Sequence, residues 1–395
     1  MSLAKHFITL LSGRLASQVI LVVSTPILTR LYAPEDFGLV SLVNSMTQVP
    51  LIYLMGRLDQ AIPQSRNDHE AGALATLAFG FSLIITLSAF TLTYLGQDWL
   101  DERYHSSHLS SILLAAICMF LLISISKIGK QWATYREQHG VTASADLLQM
   151  FFQRGSPLAV YGVLGGGPWS LFSGYIFGTL VSGFIFITRL RRDFVQCLNF
   201  NTKELWETLK EYKDFPLFLG ATSIVMVLTW SLLSILLADF FGLAAVAWYG
   251  QAYALLFLPV SLLTQSSANI FYPRLAQARD HQDKLDQLTK MLSNLSFDLS
   301  LYPLFILLPI APLLWGALLG KSFQMSGEIA QFLIPMAFIN MLFSPLSVSV
   351  NVFHKQKTFF KQTLLCHSLY LIVFYIGCLS DNILWAFTAF MSVTI

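Results

Sequence analysis

One run of the chain reads Leu109-Ser-Ser-Ile-Leu-Leu-Ala-Ala-Ile-Cys-Met-Phe-Leu-Leu-Ile-Ser-Ile-Ser-Lys-Ile128. About 20 mainly apolar residues are long enough to cross the hydrocarbon core of a bilayer as an α-helix. Backbone amides in lipid must be hydrogen-bonded within the protein, and this run lacks the apolar–polar alternation of a barrel strand. The run therefore predicts a transmembrane helix.

Comparable runs recur along the whole chain. Of its 395 residues 55% are hydrophobic and only 12% are charged, against roughly a quarter charged in a soluble domain. The predicted spans are Ile8–Leu31, Phe37–Met55, Ala71–Leu95, Leu109–Ile128, Val141–Leu164, Trp169–Leu190, Phe215–Ala238, Leu243–Leu263, Met291–Leu319, Ile329–Val352 and Phe360–Leu379. A twelfth begins at Ile383 and is expected to be short. We therefore predict an all-α polytopic membrane protein with about twelve transmembrane helices, the first retained as a helix rather than cleaved as a signal peptide.

No cofactor or metal is expected. The cysteines are too scattered for a ligand cluster or a disulfide framework: Cys118, Cys197, Cys366 and Cys378. The glycine-rich turn Gly165-Gly-Gly-Pro168 follows a membrane helix and lacks the spacing of a nucleotide-binding loop. No pattern indicates a catalytic group, a metal site or a nucleic-acid partner, and membrane lipid is the expected surrounding.

The distribution of basic residues predicts the orientation. Of the 24 Lys and Arg residues, Arg14 and Arg154 fall inside predicted spans, and only Arg30, Arg103 and Lys321 fall in one set of alternate loops. All the others fall in the opposite set, which includes Arg57 and Lys127. Because cytoplasmic loops carry the excess of positive charge, we expect a cytoplasmic N-terminus.

Two halves are expected. The longest hydrophilic stretch, residues 191–214, carries an amphipathic pattern and predicts a surface helix on the cytoplasmic side. Sequence landmarks recur in the same order on either side of it, for example Phe37-Gly38-Leu39 and Phe241-Gly242-Leu243. We therefore predict an N-terminal six-helix bundle at 1–190, a linker at 191–214 and a pseudo-symmetric second bundle at 215–395, an arrangement common among transporters.

Several segments resemble the polysaccharide transporter family of Wzx-type O-antigen flippases, in the superfamily that includes MATE multidrug exporters and the lipid II flippase. They are Pro26-Ile-Leu-Thr-Arg-Leu-Tyr-Ala-Pro-Glu-Asp-Phe-Gly38, Asp59-Gln-Ala-Ile-Pro63, Tyr212-Lys-Asp-Phe-Pro216 and Tyr272-Pro273. The resemblance implies a MATE-like fold in a bacterial inner membrane and alternating access around a central cavity. It also implies a polyprenyl-diphosphate-linked oligosaccharide as cargo, with other polysaccharide assembly proteins as possible partners.

Arg154 is the first candidate for binding such a cargo. It lies near the centre of the fifth predicted span, and a charge at mid-membrane usually faces a cavity or a partner. One face of the same helix carries a polar stripe: Thr142, Asp146, Gln149 and Gln153. Arg154 offers a permanent cation to diphosphate oxygens, and Gln149 and Gln153 offer amides to sugar hydroxyls. The alternative is a structural salt bridge with Asp146 or with another span.

Other polar residues within spans are secondary candidates. Arg14 and Gln18 share a face of the first span, although Arg14 can also extend to the interface. Polar stripes that include Asn44 and Gln48 in the second span, and Asn340 and Asn351 in the tenth, serve either a cavity or helix association. Two acids are possible ion-coupling groups: Asp146 and Asp298.

Alternative functions remain at this point. The cavity of a MATE-like exporter of cationic drugs is expected to contain acidic residues. The predicted spans instead contain Arg14 and Arg154, which argue against that function. Another lipid flippase is also compatible with the pattern. A polysaccharide polymerase or ligase would be expected to carry a large outer loop, whereas the longest predicted outer loop is about residues 96–108. The sequence therefore favours a flippase that is not an enzyme.

Overall fold

The computed structural model describes residues 3–196, 202–213, 215, 220–277, 282–347 and 356–394, and every regular element in these ranges is helical. The α-helices are α1 (Leu3–Leu31), α2 (Pro34–Tyr53), α3 (Asp68–Leu95), α4 (Gln97–Arg103), α5 (Leu109–Cys118), α6 (Phe120–Tyr135), α7 (His139–Leu164), α8 (Pro168–Gln196), α9 (Thr202–Glu211), α10 (Gly220–Phe241), α11 (Leu243–Gln277), α12 (Gln282–Leu319), α13 (Gln324–Ser347), α14 (Gln356–Cys378) and α15 (Ile383–Thr394). Short 3₁₀ helices cover Leu58–Gln64 and Lys321–Phe323. The predicted all-α class is confirmed.

Six helical segments in the described ranges are long and apolar enough to cross a membrane. They are Asp68–Leu95, Leu109–Tyr135, Pro168–Arg189, Ile224–Phe241, Lys321–Leu342 and Thr358–Cys378. The pair formed by α2 and the 3₁₀ helix makes a seventh if the two are one span bent by 50°. The protein is therefore a multi-pass membrane protein.

The chain forms two compact units, Met1–Ser231 and Leu232–Ile395. In the first, α7 packs against α1 and α8, and α6 packs against α3, α8 and the 3₁₀ helix. In the second, α13 packs against α11, α12 and α15, and α14 packs against α15. Helix α9, in the stretch expected to be a surface linker, packs on α3 of the first unit.

The chain turns sharply after α2, at a point where a cytoplasmic loop was expected. Gly56 and Arg57 adopt positive φ angles of 55° and 58°, a left-handed conformation that glycine tolerates readily and arginine seldom adopts. The following 3₁₀ helix is buried, and Leu58, Ala61 and Ile62 are each 0% exposed. The turn therefore directs Leu58–Gln64 back against α3 and α6.

Glycines allow α7 and α8 to pack at very short range. A Cβ atom on Gly174 would collide with the carbonyl oxygen of Gln153, and one on Gly178 would lie 2.9 Å from that of Gln149. Because Pro157 has no N–H, the Gln153 carbonyl loses its helical partner. Small residues four apart permit this type of approach between membrane helices, which fixes the position of α7 relative to α8.

Candidate functional site

A cavity of about 340 Å³ lies within the first unit. It is bounded by α2, the turn that follows α2, α6, α7 and α8. Its walls are lined by Gln48, Leu51, Ile52, Met55, Arg57, Asp59, Ile123, Lys127, Gln149, Tyr175 and Thr179. The size is at the lower end of small-molecule sites, which span roughly 300–1,000 Å³. The cavity therefore combines an apolar wall with charged and amide groups.

Lys127 enters this cavity from α6. Lys127 was predicted at the end of a span and counted with the loop charges, but α6 continues to Tyr135, so Lys127 lies about two turns before the end of the helix. Its ammonium nitrogen donates a long contact of 3.5 Å to the backbone carbonyl of Leu51 at the end of α2. The helix thus carries a cation inward between its apolar neighbours.

Arg57 and Asp59 enter from the turn and the first residues of the 3₁₀ helix. Asp59 is only 8% exposed. The Nε atom of Arg57 is buried and has no hydrogen-bond partner. Such a group is costly in an apolar environment unless a ligand or water satisfies it. The geometry therefore leaves donor capacity free beside the cavity.

The charges in the cavity do not cancel. The Asp59 carboxylate is attracted electrostatically to both Lys127 and Arg57, so two cations face one acid. Interactions of this kind are stronger in a protein interior than in water because the effective dielectric constant is lower. An anionic ligand is favoured by the remaining positive charge.

Neutral polar groups complete the walls. Tyr175 and Thr179 lie one turn apart on α8, where both face the cavity together with Gln149 of α7 and Gln48 of α2. Amide and hydroxyl side chains donate and accept hydrogen bonds. The arrangement can hold a ligand that combines anionic oxygens with hydroxyl groups.

Two of the predicted site residues, Gln48 and Gln149, line this cavity, whereas others from the same helices do not. Gln153 lies where α7 contacts Gly178 of α8. Asp146 accepts two hydrogen bonds of 2.8 Å from the Lys130 ammonium. Asp146 is therefore an ion-pair partner, but of Lys130 rather than of Arg154.

Arg154 lies on α7 outside the set of cavity-lining residues. Its Nε atom is buried without a hydrogen-bond partner, and within the described part of the chain no carboxylate is close enough to form an ion pair with it. A buried cation without a protein anion is unusual. Arg154 is thus a second position with unsatisfied donor capacity.

The remaining candidates are dispersed. Gln18 is half-buried on α1, and Asn44 is exposed on α2, one turn before Gln48. Asn340 of α13 donates a 3.0 Å hydrogen bond to the Met336 carbonyl, and Asp298 of α12 is exposed. The side chain of Arg14 and all of Asn351 lie outside the described residues.

Sequence reasoning missed the roles of Lys127, Arg57 and Asp59 in this cavity. The two cations were counted as loop charges, and Asp59 was noted only as part of a motif. One available signal was Gly56, whose position directly before Arg57 permits a tight turn. Another was the pattern after Ile128, since Trp132 continues the helical spacing of apolar residues beyond the lysine.

Metal binding has no support in the described ranges, where no group of three or more His, Cys, Asp or Glu side chains is placed to hold an ion. The buried acid of the cavity, Asp59, faces two cations instead of further acids. The donor set of the cavity is suited to an anion.

The fold is similar to that of solved membrane transporters. An inward-facing MATE multidrug resistance transporter of the MOP superfamily aligns with a TM-score of 0.72 and 14% identity, covering 96% of this chain and 91% of that chain. The lipid II flippase MurJ in an inward closed conformation aligns with a TM-score of 0.74 and 14% identity, covering 98% and 85%. A MOP superfamily transporter from Pyrococcus furiosus aligns with a TM-score of 0.59 and 11% identity, covering 99% and 91%.

Sequence comparison gives the family. No curated protein sequence matches the chain. The model of a family described as polysaccharide biosynthesis protein matches residues 27–328, which include the cavity-lining residues and most of both units. The chain therefore belongs to the polysaccharide biosynthesis protein family, and it has the fold of the MOP superfamily transporters.

Proposed function

We propose that the protein is a flippase that moves a polyprenyl-diphosphate-linked oligosaccharide, such as an O-antigen repeat unit, across the bacterial inner membrane by alternating access. Membership of a polysaccharide biosynthesis family supports a glycan cargo. The transporter fold supports movement rather than synthesis. We therefore propose that the chain is not an enzyme.

The observation that carries this proposal is the net positive, partly unsatisfied cavity of the first unit. Lys127 and Arg57 outnumber Asp59, and the Arg57 Nε atom lacks a partner. A diphosphate diester carries an anionic oxygen on each phosphate, and hydrogen bonds from cationic donors to such oxygens are among the strongest in proteins. The cavity therefore has a charge that suits the headgroup of the proposed cargo.

The neutral residues have a separate role in this proposal. Gln48, Gln149 and Tyr175 offer hydrogen bonds to sugar hydroxyls, and Gln18, Asn44, Gln153, Asn340 and Asn351 remain secondary candidates. Arg14 and Arg154 are proposed to interact with phosphate oxygens at another stage of the passage. The polyprenyl chain stays in the lipid, since its burial in protein would bring no gain over the bilayer.

The proposed direction follows from the distribution of basic loop residues, with a cytoplasmic N-terminus. In that orientation, α2 runs toward the cytoplasm and ends near Arg57, and Lys127 lies close to the cytoplasmic end of α6. The cationic cavity is then available on the face where the lipid-linked precursor is made. Export proceeds from there to the periplasmic face.

A MATE-like exporter of cationic drugs is the second candidate, and the observation in its favour is the buried carboxylate of Asp59. In this cavity, however, the acid already faces two cations. A cationic drug would have to displace both of them from Asp59. The electrostatics therefore favour an anionic cargo.

Replacement of Lys127 by alanine in the protein's own host tests the proposal. We expect lipid-linked repeat units to accumulate on the cytoplasmic face and surface polysaccharide to fall by about tenfold or more, since a charge-assisted hydrogen bond contributes about 1.5–3 kcal/mol. Lys127→Arg should retain part of the activity. Lys203→Ala, which removes an exposed lysine on α9, is the matched control.

Two results would contradict the proposal. Normal surface polysaccharide from a Lys127→Ala, Arg57→Ala double variant would show that the cavity cations are dispensable. Single repeat units on the outer face after deletion of the whole gene would indicate a polymerase, because the cargo would then have crossed without this protein.

A further inference from the structure

Asp59 is placed where it competes with a bound anion. The 3₁₀ helix holds Asp59 in the cavity wall at 8% exposure, and Arg57, which precedes that helix, and Lys127 of α6 line the same cavity. The same two cations are the groups that a diphosphate would contact in the proposed function. Within the protein, Asp59 is thus the anion that these cations face.

Few other charges act on this carboxylate. Helix α6 contributes Lys127, and the turn contributes Arg57. The charged residues of α3 have other partners: Asp68 accepts from Tyr135 and Arg136, Glu70 accepts from Tyr212, and His69 lies near Glu204. Helix α8 presents the neutral phenol of Tyr175, and the nearby charges of Lys130 and Asp146 pair with each other at 2.8 Å.

We propose that Asp59 takes up one proton when the diphosphate headgroup binds, so that the occupied cavity is electrically neutral. This inference rests on the proposed function, because it takes the headgroup to be the anion. The proton comes from bulk water and is held by the Asp59 carboxyl group. No covalent bond forms to the ligand or breaks within it.

The reason is the charge balance of the site. With Asp59 ionised, the three charged side chains carry one net positive charge, and a diphosphate diester with two negative charges would make the site net negative. Uncompensated charge is costly in a low-dielectric interior. Protonation of Asp59 leaves two cations facing two phosphate charges, and it removes the repulsion between the carboxylate and the ligand.

Linkage then makes the effect reciprocal: the diphosphate favours the proton, and the proton favours the diphosphate by the same free energy. Where one proton is taken up for each ligand bound, the dissociation constant falls by about tenfold for each pH unit of acidification. This dependence distinguishes proton uptake from simple charge attraction, which leaves the number of bound protons unchanged.

Calorimetry of the purified full chain in detergent tests the inference. The probe is a water-soluble prenyl-diphospho-sugar with a short prenyl chain, whose two phosphodiester charges do not titrate near neutral pH. Its binding enthalpy is measured at about pH 7 in two buffers of different ionisation enthalpy, and the difference gives the number of protons taken up. We expect close to one proton for each ligand bound to the wild type.

Substitutions assign the proton to its group. Asp59→Asn should bind the probe without proton uptake and with an affinity that no longer depends on pH. Asp98→Asn, which removes an acid on α4 beyond the far end of α3, is the matched control and should behave as the wild type. If Asp59→Asn does not fold, the infrared difference spectrum on binding should show loss of a carboxylate band and gain of a carboxylic acid band, and Asp59→Glu should shift that acid band whereas Asp98→Asn leaves it unchanged.

The outcomes separate the two proposals. Binding to the wild type without proton uptake, or equal uptake by Asp59→Asn, would overturn the role of Asp59 and leave the flippase proposal intact. Absence of probe binding at any pH would overturn the cavity as the headgroup site, and with it the inference drawn from that site.

Discussion

The phenolic hydroxyl of Tyr32 donates a 2.7 Å hydrogen bond to the backbone carbonyl of Pro157. The Ser170 hydroxyl lies 2.7 Å from the same phenolic oxygen, and because the phenol has a single hydrogen, Ser170 is the donor in that second contact. The end of α1 is thereby joined to both α7 and α8. This junction holds the helix that carries Gln149 and Arg154.

Tyr32→Phe should lower the stability of the first unit. Tyr32 is 3% exposed, so the lost hydroxyl leaves the buried Ser170 hydroxyl without its acceptor and removes the side-chain donor from the Pro157 carbonyl. We expect a loss of about 1 kcal/mol, measured as a lower midpoint of denaturant unfolding in detergent. Tyr94→Phe, at an exposed tyrosine, is the control; an equal effect from both variants would contradict the contact.

Gly174→Ala should separate α7 from α8. The added methyl group would collide with the Gln153 carbonyl oxygen, so the helices must move apart or the variant must lose stability, by about 1–3 kcal/mol for an overpacked contact. Gly162→Ala on α7 is the matched control, because a Cβ there meets no atom within 4 Å. Equal unfolding midpoints for the two variants would count against the close approach.

Arg154→Met should separate stability from transport. No carboxylate pairs with Arg154 in the described part of the chain. The substitution therefore removes a buried charge without leaving an acidic residue unpaired, and we expect unchanged or increased thermal stability. If the guanidinium binds phosphate oxygens, surface polysaccharide should fall by about tenfold or more. Normal transport by Arg154→Met or Arg154→Lys would remove Arg154 from the proposed site.

A charge exchange at Lys130 and Asp146 distinguishes a structural pair from an ion-coupling acid. Asp146→Lys alone should impair folding, because two ammonium groups would then face each other where the ion pair lies at 2.8 Å. Combination with Lys130→Asp should restore both protein yield and transport. Restored yield without transport would instead support a coupling role for Asp146.

Tyr212, which follows α9, predicts a pH dependence. Its partial burial, together with its 2.9 Å hydrogen bond to Glu70 of α3, raises the pKa of Tyr212 to about 12. The neutral phenol is therefore favoured in the folded state. Its contribution to stability is complete below the unfolded pKa of about 10 and is lost as the pH rises through about 12.

The measurement for Tyr212 is the difference in unfolding midpoint between the wild type and Tyr212→Phe. This difference should be constant up to about pH 10 and should shrink above it. Glu70→Gln keeps an acceptor but removes the charge, so the tyrosinate absorbance should then develop at lower pH. A difference that grows above pH 10 would contradict the assignment.

The transmembrane helices could be predicted because the length and hydrophobicity of a single segment decide whether it can span a bilayer. The run from Leu109 needs no knowledge of its neighbours to be recognised as a span, and the polar spacing along α2 and α7 already indicated Gln48 and Gln149. Lys127 was different, because its charge marked the end of the apolar run. Only the packing of α6 against the 3₁₀ helix makes that charge part of a wall.

Arg57 and Asp59 were harder to predict for a related reason. Their position depends on the direction of the chain after Gly56, where the positive φ angles of Gly56 and Arg57 accompany a turn back toward α3 and α6. Sequence patterns describe faces of regular elements. They do not fix the contacts between an irregular turn and a helix about 70 residues away in the chain.

The turn at Gly56 and Arg57 also bears on how the protein is made. An arginine or aspartate at the centre of a helix costs about 2.5–3.5 kcal/mol when the translocon releases that helix into lipid. Arg57 and Asp59 avoid this step, since they follow α2 on a segment that needs α3 and α6 before it can be buried. The nascent chain can therefore deliver α2 to the bilayer before Arg57 and Asp59 are buried, so this part of the cavity wall forms late in biogenesis.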